Sequence, residues 1–164
     1  MPFGSAALCY IGRMLLDSQL VPEAFVKPRS FVGLMAMYES NYLRLLQLVP
    51  ELERLDGCFR SRVAGDCELF VEILERARYT ITLSLTYHFE TEDGRLADPD
   101  IKVRAYLDGC LAEAMSMGGD HRHAELRRLV RKNRRELDSR WRRNVILNKW
   151  LEYLSDQGHL VLER

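Results

Sequence analysis

Residues 79–89 read Tyr79-Thr80-Ile81-Thr82-Leu83-Ser84-Leu85-Thr86-Tyr87-His88-Phe89, an unbroken alternation of large apolar and polar side chains. Successive side chains of a strand point to opposite faces. This spacing therefore predicts one long strand with a buried and a wet face. Upstream, Cys67, Leu69, Val71 and Ile73 alternate with Glu68 and Glu72, which predicts a second strand. Ala64-Gly65-Asp66 reads as the turn from a shorter strand near 58–63. Downstream, 90–100 is polar and carries Asp93-Gly94 and Asp98-Pro99, the composition of a surface loop. Residues 101–107 and 110–117 flank Asp108-Gly109, a two-residue link whose type I′ turn needs positive φ at both positions. The implied hairpin sets Arg104 across from Glu113 and Tyr106 across from Leu111. A cross-strand charge pair of that kind is worth roughly 0.2–1 kcal/mol.

Helical spacing brackets this strand region. Ser30 can cap a helix in which Phe31, Leu34, Met35, Tyr38, Tyr42, Leu45, Leu46 and Val49 share one face, and Pro50 stops it. Glu39 and Asn41 sit on opposite edges of that stripe. Near the end, Ile146, Leu147, Trp150, Leu151, Tyr153 and Leu154 share a broad face, with Gly158 as the stop. Arg140 and Asn144 extend the Leu147/Leu151 line backwards. A further helix with a thin stripe (Leu126, Leu129, Val130, Leu137) is expected between Gly119 and Asp138. The order is N-terminal helix, an antiparallel meander of about five strands, and a C-terminal helix packed on the sheet, an α+β fold. Residues 28–160 form a single domain in this reading. Residues 1–27 are a poorly ordered extension and 161–164 a short tail.

Composition narrows the function classes. The 164 residues carry 24 Lys+Arg and 24 Asp+Glu, so a strongly basic nucleic-acid protein is excluded. The charges are nevertheless segregated. Residues 66–100 hold nine acidic and three basic side chains, and 121–143 hold ten basic and three acidic ones. Cys9, Cys58, Cys67 and Cys110 form no C-x-x-C pair and read as free thiols of a reducing compartment. The apolar run 6–11 is short and followed by Arg13, the wrong order for a secretion signal. No stretch reaches the ~20 apolar residues of a membrane span. A cytoplasmic protein is expected, with no membrane contact.

Several motifs together resemble the YqiB-like proteobacterial family. They are Tyr38-Glu39-Ser40-Asn41-Tyr42 running to Pro50, Glu75-Arg76-Ala77-Arg78-Tyr79-Thr80, Val103-Arg104-Ala105-Tyr106-Leu107-Asp108 with Ala112-Glu113, and Asp138-x-Arg140 with Asn144, Leu147, Trp150-Leu151 and Gly158. The resemblance spans about 28–160 and implies a domain of unknown function without established activity, substrate or cofactor. Two positions depart from the family pattern. Leu107 stands where relatives usually have His, and Ser139-Arg140 stands where Glu-Lys is usual. Chemistry relying on that His or Glu is closed to this chain.

The binding candidates are Glu39, Asn41, Arg104, Asp108, Glu113, Arg140 and Asn144. They form either a polar pocket for a small ligand or a hydrogen-bonded seam between helices and sheet. No nucleophile with an orienting partner is recognisable, so no catalytic residue is assigned and no cofactor is expected. Asp120-His121-Arg122-His123 lacks a third ligand nearby, so no metal site is assigned. Arg127, Arg128, Arg131, Lys132, Arg134, Arg135, Arg142 and Arg143 form a basic stretch, read first as a solvated face. An acidic protein partner is the next reading. Nucleic acid ranks below both, because Thr and Ser occupy the strand's wet face where stacking rings would be needed. The leading expectation is a non-catalytic domain that binds a protein partner, the alternatives being a small-ligand sensor or enzyme and a nucleic-acid binder.

Overall fold

The computed structural model describes residues 30–92, 94–118 and 139–162. Helix α1 spans Phe31–Leu48, strands β1 to β5 span Cys58–Ser61, Leu69–Arg76, Thr80–Thr91, Gly94–Tyr106 and Leu111–Met117, and helix α2 spans Ser139–Gln157. The strands pair in chain order as one antiparallel sheet. The expected α+β architecture is therefore the observed one. Ser30 Oγ accepts the Gly33 N–H at 3.0 Å, closing the start of α1. Gly158, at φ 89, ends α2.

Both helices lie on the face made by Leu69, Val71, Ile81, Leu83, Leu85, Tyr87, Ile101, Val103, Ala105, Ala112 and Ala114. Trp150 is fully buried there, edge-on to Tyr87 at 5.5 Å. Across the helix pair, Asn41 meets Asn144, Ser40 meets Asn148 and Arg44 meets Glu152. Taken along α1, Asn41, Arg44 and Leu48 meet Asn144, Glu152 and Val161 in turn, so the helices run in the same direction.

Three local expectations need correction. The expected loop 90–100 is instead the far end of a hairpin, with Thr91 paired to Gly94 and Glu90 to Arg95. Its polar composition reflects a hairpin that outruns the core. Asp98 and Pro99 together oppose Tyr87 at a bulge, where a residue without an N–H costs no ladder bond. The β4–β5 link is also not a two-residue I′ turn. Residues 107–110 form the loop, and its left-handed residue is Cys110 at φ 51. The register nevertheless comes out as expected, Arg104 facing Glu113 and Tyr106 facing Leu111. Finally, the apolar stripe of α1 is not buried throughout, since Phe31 in the first turn is exposed.

The segment beyond Gly158 is packed. Val161 is buried and its N–H donates to the Leu48 carbonyl at 2.8 Å, tying the chain to the end of α1. Residues 1–27 and the helix expected between Gly119 and Asp138 lie outside the described residues.

Candidate functional site

Two of the seven candidate residues meet at the edge strand β5. Asn41 and Asn144 are both fully buried. Asn41 Nδ2 donates to Asn144 Oδ1 at 3.1 Å and approaches the Ala112 carbonyl at 3.4 Å. Asn144 Oδ1 also accepts the Ala114 N–H at 2.8 Å, and its Nδ2 donates to the Arg140 carbonyl at 3.0 Å. Arg143 Nε donates to the Ala114 carbonyl at 3.3 Å. A side-chain amide carries both a donor and an acceptor, so it can serve the backbone groups of a strand. The helices thus reach the strand through amides, and Arg143 of the expected basic face is turned to the sheet.

Glu113 lies on the opposite face of β5. It accepts from the Tyr106 hydroxyl at 2.7 Å and from the Tyr38 hydroxyl at 3.0 Å. Burial, then the hydrogen bond and the negative charge of Glu113, push Tyr38 up to about 12. The bond to Glu113, then burial, raises Tyr106 as well. A phenol with a raised folded value contributes stability that is complete below its unfolded value near 10 and lost as pH rises through the folded one. In alkaline titration followed by tyrosinate absorbance, Glu113→Gln is therefore expected to move part of the late absorbance rise to lower pH. An unchanged curve would show that the carboxylate does not hold these phenols.

Arg104 faces Glu113 in register but its guanidinium reaches elsewhere. It lies 3.5 Å from Glu75, and its Nε donates to Thr82 at 3.2 Å. Asp108 is exposed in the hairpin loop, where it accepts the Gly109 N–H at 2.9 Å. Glu39 and Arg140 are exposed. The seven residues therefore divide into an amide bridge, a tyrosine–carboxylate cluster and peripheral charges.

A buried polar network lies at the other end of the sheet. Asp66 Oδ2 accepts from the Tyr87 hydroxyl at 2.7 Å and lies 3.2 Å from His159 Nε2. His159 Nδ1 is 3.0 Å from Ser61 Oγ, which also accepts the Leu160 N–H at 3.1 Å. An ionised carboxylate only accepts, so Nε2 carries the hydrogen in that contact. Burial raises Asp66, but hydrogen bonds from Tyr87, the Cys67 N–H, Tyr153 and His159 outweigh it and hold the carboxyl below the ordinary range. Ser, His and Asp are the residue types of a nucleophilic triad. Here Ser61 is 6% exposed and His159 3%, so the group is shielded from solvent, and it fastens the C-terminal segment through the Leu160 N–H. Sequence reading missed it because 61, 66, 87 and 159 share no motif spacing.

A family model described as a protein of unknown function, DUF1249, matches residues 44–160. The chain belongs to the DUF1249 family. No curated protein and no solved structure matches it. The match covers every strand and α2 of this DUF1249 domain, together with Glu113, Asn144, Asp66 and His159; Asn41 and Tyr38 precede it.

Of the basic stretch, Arg127, Arg128, Arg131, Lys132, Arg134 and Arg135 lie outside the described residues, as does Asp120-His121-Arg122-His123. Arg142 and Arg143 are both half-buried on α2. No described helix is long and apolar enough to cross a membrane.

The sheet face opposite the two helices holds residues that sequence reading passed over. Phe70 of β2 projects there, with its ring 4.5 Å from the His88 ring in an edge-on arrangement. The guanidinium carbons of Arg95 and Arg60 stand 4.9 and 5.8 Å from the Phe70 centroid. Phe70 interrupts the Glu68/Glu72 series that marked this face as wet, and that interruption was the available signal.

Proposed function

We propose that this DUF1249 domain is a non-catalytic binding domain. The observation that carries this reading is the commitment of four of the seven candidate groups to the fold. Asn41 and Asn144 serve each other and β5, Glu113 holds two tyrosine hydroxyls, and Arg104 is turned to Glu75 and Thr82. A general acid or base needs a free approach to substrate, and Glu113 spends its carboxylate on internal phenols. The sheet face carrying Phe70 is the surface we assign to recognition. We further read the chain as a member of the YqiB-like proteobacterial group, on the motifs that run from Tyr38 to Gly158, and as cytoplasmic, on its cysteine spacing without a C-x-x-C pair and the place of Arg13 after the apolar run 6–11.

The test is incubation of the purified full chain with a panel of phosphorylated and acidic metabolites, followed by NMR. Substrate spectra are expected to stay constant while protein amide shifts change on the outer sheet face. Turnover of any metabolite, lost on Glu113→Ala or Asp108→Ala, would overturn the proposal.

A further inference from the structure

At one end of the outer sheet face, two arginines stand among other charges without an ion pair of their own. Arg60 and Arg62 come from β1 and the residue after it, and Arg95 comes from the start of β4. All three are exposed. Glu68 is the carboxylate among them: Arg62 Nε donates to it at 2.6 Å. That bond, with the charges of Arg60 and Arg95 nearby, holds Glu68 below the ordinary glutamate range. Glu90 stands opposite Arg95 in register, and Asp100 is occupied by the hydroxyls of Ser84 and Thr86. Among the described residues, neither Arg60 nor Arg95 lies within ion-pair distance of a carboxylate.

The phenyl ring is the second observation. Guanidinium groups lie flat on aromatic faces, where the ring fixes their orientation without using their N–H donors. Arg95 reaches from β4 across β3 to Phe70 on β2, a length of side chain that solvent alone would leave mobile. Two forks are thus held over one ring with their donors unspent. Such forks match the oxygens of a phosphate group. His88, edge-on to Phe70 and half-buried, is the second aromatic ring beside these forks, and a planar base stacks on such a ring.

We infer that Arg60 and Arg95, seated on Phe70, bind the phosphate of a nucleotide on the outer sheet face. The inference rests on the proposed binding role and names its ligand class. The acidic side chains Glu72 and Glu75 farther along β2 confine the positive end to one phosphate or a few. The shared chemistry is a phosphate beside a base, whether in a free nucleotide or in single-stranded RNA.

The experiment is calorimetric titration of the full chain at low salt with four probes: pyrophosphate, adenosine monophosphate, an eight-nucleotide oligouridylate and an octaglutamate peptide. The phosphate probes are expected to bind, with affinity falling as salt is added. Binding of the mononucleotide identifies a free nucleotide as source, and binding of the octamer alone identifies RNA. Arg60→Gln with Arg95→Gln is expected to weaken binding about tenfold. Phe70→Leu should weaken it less, and Arg78→Gln, in the turn between β2 and β3, should leave it unchanged. NMR signals of the arginine Nε groups in the unsubstituted chain supply a readout independent of variant folding, with Arg60 and Arg95 shifting on titration. Silence from all phosphate probes, unaltered binding by the double variant, or binding of octaglutamate alone would each overturn the assignment. The turnover assay above is untouched by any of these results, so the two readings fail separately.

Discussion

Asn144→Ala is expected to lower the unfolding free energy by about 3–4 kcal/mol, because the lost amide leaves buried partners unsatisfied. Its Oδ1 takes both the Asn41 amide and the Ala114 N–H, and every atom of the side chain is shielded from solvent. Removing one partner of a buried hydrogen bond costs the full desolvation of the group left behind, about 1–3 kcal/mol each. Asn41→Ala should cost less, since the Ala114 bond survives. The double variant should cost less than the two together, because both remove the same amide contact. Urea denaturation of the three chains measures this directly. A loss below about 1 kcal/mol for Asn144→Ala would mean that the bridge contributes little and that apolar packing alone seats the helices.

Asp66→Ala should be comparably damaging near neutral pH, by about 3 kcal/mol, since it strands the Tyr87 hydroxyl and the His159 N–H in the interior. This effect carries a pH signature. Asp66 has a depressed folded value, so its contribution is complete above the unfolded value near 3.8 and is lost as pH falls through the folded one. The melting-temperature gap between the native chain and Asp66→Ala should thus be widest above about pH 5 and shrink toward pH 2. A gap that stays constant across that range would show that the ionised carboxylate is not what holds the network. Tyr87→Phe supplies a milder check, removing a single donor while keeping the ring against Trp150.

Much of this molecule is legible from spacing. The alternation in 79–89 and the helical stripes depend on local periodicity, and the sheet follows once the strands are joined by short turns. Register in the last hairpin came out correctly even though the turn was misassigned. The flanking strands fix the pairing, and Cys110 takes the left-handed conformation expected of Asp108 and Gly109. The site was legible only in part. Asn144 and Arg140 continue an apolar line, a signal that reports burial correctly for Asn144, fails for the exposed Arg140, and names partners for neither. Asp66, His159 and Ser61 gave no such signal, as their meeting depends on how the chain after α2 folds back beside β1. Phe70 gives only a weak signal for a simpler reason: it is a single aromatic residue between Glu68 and Glu72.

The amide bridge at β5 also governs how this sheet can grow. An outermost strand ordinarily offers its free N–H and C=O groups to any other chain. Here Asn41, Asn144 and Arg143 occupy the positions where the next strand's backbone would hydrogen-bond. A sixth strand is therefore barred from that side, and among the described residues the other outermost strand is β1, only four residues long. The same amides that seat the helices close the sheet at β5.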